Sequence, residues 1–252
     1  MAKIYGVEFY GDEIQVIVTN TAVIVNDWIL ETVHLHRRRL HKLLVGLDIE
    51  WLPCFKPEEN HPVALLQLCV GRRCLLFQLL HRDGLPAFLA NFLGDPNVKF
   101  VGVGVKGDAE KLLRDHNLFV ANTVDLNRLA LSIYGEQVYG KMGLKRMAKE
   151  VLGKVMEKPM NVTLSKWDAE ELMYQQIEYA AIDAFMSFEI AKNLFNLVWK
   201  RERESCPHPR VVKRQYLNCH YQQPLLLLQD RYSRNVSYTC SVLSLKLIPE
   251  RM

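Results

Sequence analysis

The spacing of hydrophobic positions changes character near residue 84. Before it, apolar residues alternate with polar ones or gather in short blocks. KIYGVEFY and EIQVIVTN are β-rich runs around Gly11-Asp12, which predicts a hairpin. VNDWILETVHLHRRRLHKLL instead places Trp28, Ile29, Val33 and Leu40 at helical spacing. LLVGLDIEW reads as a short, nearly continuous apolar strand, and ALLQLCV and CLLFQLL as a second hairpin about Gly71-Arg72-Arg73. Later segments alternate: helix (LPAFLANFLG), strand (VKFVGVGV), helix (DAEKLLRDH), strand (LFVANTVD), then helices to about residue 199. There is no internal repeat.

Hairpins followed by alternating α and β elements predict an α/β fold, a mixed sheet with helices packed against it. Residues 1–21 read as an N-terminal β-hairpin packed on the core and 22–199 as the main domain. Beyond Arg203 no period is sustained, so 200–252 reads as a poorly ordered basic tail. At 252 residues, 49% hydrophobic and 24% charged, the chain has the composition of a globular protein with a full core.

Charge changes this picture little. The net +4 comes from the tail: residues 1–199 carry −2 and residues 200–252 carry +6. Overall basicity is therefore no argument that the main domain binds nucleic acid. Its one local basic run, HRRRLHK at 36–42, reads as a solvated helix end. No apolar run approaches the roughly 18 residues of a bilayer span. The opening MAKIYGVEFYGDE lacks the basic-then-apolar layout of a signal peptide. Neither a membrane span nor classical secretion is expected. The cysteines, at 54, 69, 74, 206, 219 and 240, form no C-x-x-C pair. Cys69 and Cys74 read as free, small buried hydrophobes, which suits a reducing compartment, nucleus or cytoplasm.

Three apolar segments carry acids that packing alone would not place there. In VGLDIEW, Asp48 and Glu50 are two apart on a strand and project from one face. Two like charges side by side are costly unless a cation sits between them. Asp108 follows a strand end and opens a helix, and Asp183 lies in a helix with Tyr179 four residues earlier on the same face. Each acid alone has an ordinary explanation: a helix cap, an edge pair, a solvated helix face. Together they form a hard-oxygen ligand set, for which magnesium or manganese is the natural cation.

Gly102-Val103-Gly104-Val105-Lys106-Gly107, with Asp125 further on, also satisfies a dinucleotide-binding fingerprint. However, Asp108 would stand at the helix N-terminus where a pyrophosphate must dock, and like charge opposes it.

VGLDIEW, VGVGVKGDAEKLL and SKWDAEELMYQQIEYAAIDA resemble the three exonuclease motifs of the DEDD superfamily, in the variant with tyrosine in the third motif. The nearest likeness is to Werner syndrome-type 3′–5′ exonuclease domains, over about residues 22–199, with GLKRMAKEVLG fitting the helix before the third motif. The resemblance implies a ribonuclease H-like fold, a five-stranded mixed sheet flanked by helices. It implies Asp48, Glu50, Asp108 and Asp183 as ligands of two divalent ions, Mg²⁺ or Mn²⁺, and Tyr179 as the residue that positions the attacking water. The implied partner is the 3′ end of DNA or RNA, cut to 5′-mononucleotides; protein partners and homo-oligomers are left open. Trp51, Lys106, Glu110 and Lys111 are the expected nucleic-acid contacts. Two positions depart from the family pattern. Glu110 stands where an aromatic is common, and Met173 replaces a Ser or Thr cap worth about 1 kcal/mol, leaving Ser165 or Asp168 to cap an earlier helix start. The alternative reading is a catalytically idle exonuclease fold serving as a nucleic-acid-binding or scaffold protein.

Overall fold

The N-terminal hairpin forms as β1 (Lys3–Phe9) and β2 (Asp12–Thr19), in a computed structural model that describes residues 2–56 and 58–204. Its turn is Tyr10-Gly11 rather than Gly11-Asp12, with φ of 51° and 79°, the left-handed pair that matches the twist of a two-residue hairpin. The hairpin does not simply pack on the core. β2 pairs in parallel with β5 (Arg73–Gln78), Val16 opposite Cys74 and Val18 opposite Leu76. With β3 (Leu44–Trp51), β4 (Val63–Val70), β6 (Lys99–Gly102) and β7 (Thr123–Asp125), the strand order is β1-β2-β5-β4-β3-β6-β7. The expected five-stranded mixed sheet is present as β5-β4-β3-β6-β7, but the whole sheet has seven strands. An unpaired β5 edge would leave its backbone groups without partners, and β2 supplies them.

One face of the sheet is covered by α7 (Tyr174–Glu204), a 31-residue helix that packs across β2 to β6. Close approach is set by small residues. Ala180, Ala181 and Ala184 are fully buried on the helix, and a Cβ on Gly46 of β3 would run into the Ala184 carbonyl. The alternate strand residues Leu47, Ile49, Leu66, Leu68, Leu75 and Phe77 are also buried and face the side covered by α1 (Ala22–His36) and α2 (Ala87–Leu93). α3 (Val105–His116), α4 (Leu126–Tyr134), α5 (Leu144–Leu152) and the single turn α6 (Met160–Thr163) complete the described helices.

Several expectations are corrected. α1 ends at His36, so Leu40 falls in a separate 3-10 turn, and the buried stripe is Val25, Trp28, Ile29 and Thr32. The strand expected over LFVANTVD is confined to Thr123–Asp125. Cys69 and Cys74 are not free thiols but a disulfide. The antiparallel β4–β5 register puts them directly opposite, with Cα atoms 4.2 Å apart, so the case for a reducing compartment no longer rests on them. α7 crosses the expected boundary at 199, and the rest of the predicted tail, from residue 205, lies outside the described residues. No helix among the described residues is long and apolar enough to cross a membrane.

Candidate active site

The acids of the three motifs come from β3, α3 and α7. Strand alternation sends Gly46, Asp48 and Glu50 to the α7 face, and the same small residues that let α7 close on Gly46 bring Asp183 against Asp48 and Glu50. Carboxylate oxygens of Asp48, Glu50 and Asp183 lie within 4.8 Å of one another. Asp108 is not in that tight group, although its charge reaches Asp48. It sits in the first turn of α3, after Gly104 at φ 74° caps the helix start, and not at the first helical position as expected.

Electrostatics record the crowding. Burial, then the charges of Asp183 and Asp108, push the Asp48 carboxyl well above the usual range. Burial, Asp48 and Asp183 raise Glu50 to about 9, and burial with Asp125 raises Asp108 to about 7. Asp183, only 2% exposed, is raised by burial but held back by Lys158. Lys158 is the residue that sequence reasoning missed. Its ammonium lies 2.5 Å from Asp183 Oδ2, donates to the Tyr179 hydroxyl at 3.3 Å and rests 5.0 Å over the Tyr179 ring. It comes from an irregular stretch between α5 and α6, in KVMEKPMN, where nothing local marks it.

Gln67 on β4 stands directly opposite Asp48, wholly buried, and neither its amide nitrogen nor its amide oxygen has a hydrogen-bond partner. A buried amide without partners marks a place where polar company is wanted. Its signal in the sequence was a lone polar residue in ALLQLCV. Three carboxylates converging with one ammonium, beside an unpartnered amide and with the charge of Asp108 reaching Asp48, fit one or more divalent cations bound through hard oxygens. Asp48, Glu50, Asp183 and Asp108 are the residues that would hold them.

The remaining predicted residues divide. Tyr179 is in place, one turn before Asp183, its ring against Trp167 and its phenol pushed up to about 12 by burial and then by Asp183. Lys106 and Glu110 are exposed and 3.8 Å apart across one helical turn, so Glu110 has a cation beside it. Lys111 turns inward, contrary to expectation. It donates to the His61 carbonyl at 2.7 Å, pairs with Asp115 at 2.9 Å and lies over the Trp51 ring. Burial drew it there, and it staples α3 to the segment before β4. Asp125, the acid of the rejected dinucleotide fingerprint, accepts from Gly104 N and caps α4 through Asn127 N and Arg128 N. At the start of α7, neither Ser165 nor Asp168 acts as an earlier cap. Gln176 accepts from Met173 N and is itself held by Ser165 Oγ, which keeps half of a capping box without a capping hydroxyl.

The raised carboxyls predict a pH effect on the metal-free protein. A folded-state carboxyl raised above its unfolded value contributes stability at low pH that is lost as pH rises through the folded pKa. For Asp108 that window runs from about 4 to about 7, and for Glu50 from about 4.5 to about 9, so Glu50 carries the loss above neutrality. The histidines His36, His41 and His116 are lowered, so their opposite slope ends near the unfolded histidine value, below neutrality. The melting temperature of chelator-treated protein should fall by several degrees between neutrality and pH 9. Saturating Mn²⁺ should flatten the fall, because ligands bind metal deprotonated. A flat profile without metal would show that these carboxyls are already ionised at neutral pH.

A family model described as 3′–5′ exonuclease matches residues 20–199. The chain is 35% identical over 155 residues to an Arabidopsis thaliana protein named 3′–5′ exonuclease, covering 61% of this chain and 53% of that one. It is also 35% identical over 155 residues to the mouse bifunctional 3′–5′ exonuclease/ATP-dependent helicase WRN, covering 61% of this chain and 11% of that protein. The match thus spans about half, or much less, of these relatives' lengths. Among solved structures, Escherichia coli RNase D superposes with a TM-score of 0.58 at 20% identity, over 71% of this chain and 44% of that one, which supports the fold.

Proposed function

We propose, from the premise that this chain belongs to the 3′–5′ exonuclease family, that it hydrolyses terminal phosphodiester bonds at the 3′ ends of single-stranded or frayed nucleic acid, DNA or RNA, and releases 5′-mononucleotides. The observation that carries the reading is the convergence of Asp48, Glu50 and Asp183 within 4.8 Å, with Asp108 close enough to act on Asp48. In this reading Asp48, Glu50, Asp108 and Asp183 hold two divalent ions, Mg²⁺ or Mn²⁺. Bound ions supply an activated water and neutralise charge on the attacking and leaving oxygens.

The chain's own residues supply position. Asp48 feels both Asp183 and Asp108, which supports its assignment as the ligand shared between the two ions. A phenol at about 12 stays protonated at neutral pH, so Tyr179 orients the attacking water and does not act as a base. Lys158 donates to the Tyr179 oxygen, which leaves the phenolic proton directed away from the ammonium, and it holds the Asp183 carboxylate by a second hydrogen bond. The test is hydrolysis of a 3′-labelled oligonucleotide with Mg²⁺ or Mn²⁺. Release of labelled mononucleotide that stops with chelator is expected. Binding without any release, by folded and metal-loaded protein, would favour the idle-fold alternative.

A further inference from the structure

The basic run at 36–42 is not merely a solvated helix end. Arg37 caps α1 by donating to the His34 carbonyl at 2.9 Å. Arg39, His41 and Lys42 instead line a groove of about 550 Å³, joined from α7 by Phe188, Lys192 and Trp199. Among the described residues, no acid lines it. The nearby acid Glu189 is paired with Lys192 at 2.5 and 2.7 Å, which leaves Arg39 and Lys42 as the principal cations facing the groove. Lys42 lies 5.4 Å from the Trp199 ring centroid, and that ring is 38% exposed. Lys99 also reaches the His41 carbonyl, at 3.4 Å. The positive field is felt locally. His41 is lowered by burial and then by Lys42 and Lys99, and His36 by burial and then by Arg73.

Resting on the exonuclease reading above, we propose that this groove is a second contact for the substrate, holding the phosphate backbone of a single strand with a base stacked near Trp199. A cationic track with an exposed aromatic is the arrangement that binds single strands without sequence preference. The groove is remote from the catalytic acids. Leu44, in its lining, is four residues from Asp48 along β3, about 13 Å at strand rise. Lys192 and Trp199 lie about 14 and about 24 Å from Asp183 along α7 at helical rise. At the roughly 3.4 Å per nucleotide of a stacked strand, at least about four to seven nucleotides are needed to join the two places. The groove therefore acts on long substrates and not on very short ones.

The experiment compares wild type with Arg39→Ala/Lys42→Ala, both exposed positions outside the catalytic centre, and with the charge-reversed Arg39→Glu/Lys42→Glu. Probes are oligothymidylates of four and of twenty nucleotides. Binding is read by fluorescence anisotropy in chelator over a salt series, hydrolysis by KM and kcat in Mn²⁺, and folding by a melting curve. The alanine pair should weaken twenty-nucleotide binding and raise its KM by roughly tenfold. It should leave kcat and all four-nucleotide parameters unchanged, and lower the salt slope by about 1.4 for two lost phosphate contacts. The glutamate pair should weaken the long probe further. Equal losses on both probes, or none on the long one, would overturn the groove while leaving the exonuclease reading intact. Loss of long-probe binding in the variants, from a wild type that hydrolyses neither probe, would sustain the groove and sink the exonuclease reading.

Discussion

Asp48→Asn should eliminate hydrolysis, with a rate at least about 10³-fold below wild type, because several kcal/mol of transition-state charge stabilisation depend on the ligand shared between both ions. Asparagine keeps the shape of the side chain and an oxygen to accept from Ile49 N, a bond that Asp48 makes at 3.0 Å. It removes the charge that burial, Asp183 and Asp108 oppose most strongly. The metal-free variant should therefore melt at or above the wild-type temperature, while the rise in melting temperature on adding Mn²⁺ shrinks. The two effects separate a ligand from a packing residue. A packing residue would lose stability in the metal-free protein and keep its response to metal. Turnover within tenfold of wild type would remove Asp48 from the metal site and the two-ion mechanism with it.

Tyr179→Phe tests the third motif. The ring stays, with its contact to Trp167 at 5.8 Å between centroids and Lys158 above it, so stability and metal binding should remain near wild type. Only the hydroxyl is lost, and with it the group that orients the attacking water. A positioned proton-handling group contributes at least about 10²-fold, and a loss of that size is expected in single-turnover hydrolysis at saturating Mn²⁺. A rate within about threefold of wild type, on the same scale, would make Tyr179 a packing residue. Lys158 gives the result a second check. Lys158→Gln should slow the reaction while Lys158→Arg recovers part of the rate, since only a cation answers both Asp183 and the phenol.

Local pattern was sufficient for much of this protein. Alternation in KIYGVEFY and EIQVIVTN, the apolar run of LLVGLDIEW and the paired runs about Gly71 each specify strands, because side-chain period is a property of a few consecutive residues. The acids stood out for the same reason. Charge inside an apolar run is costly, so Asp48, Glu50 and Asp183 declared themselves before any partner was known.

What the sequence could not decide is which distant groups meet. The parallel pairing of β2 with β5, which widens the sheet from five strands to seven, joins segments some fifty residues apart through a free edge. Cys69 and Cys74 looked like two separate apolar residues until the register placed them opposite each other. Lys111 stood one turn from the motif-two acid and seemed to face a phosphate, yet burial against Trp51 and Asp115 turned it inward. Lys158 had no local signal at all. It becomes part of the centre only because α7 packs down on Gly46 and carries Asp183 and Tyr179 to meet it. Periodicity fixes elements because it is local; the company each charge keeps depends on packing between elements, and that is decided by the tertiary structure alone.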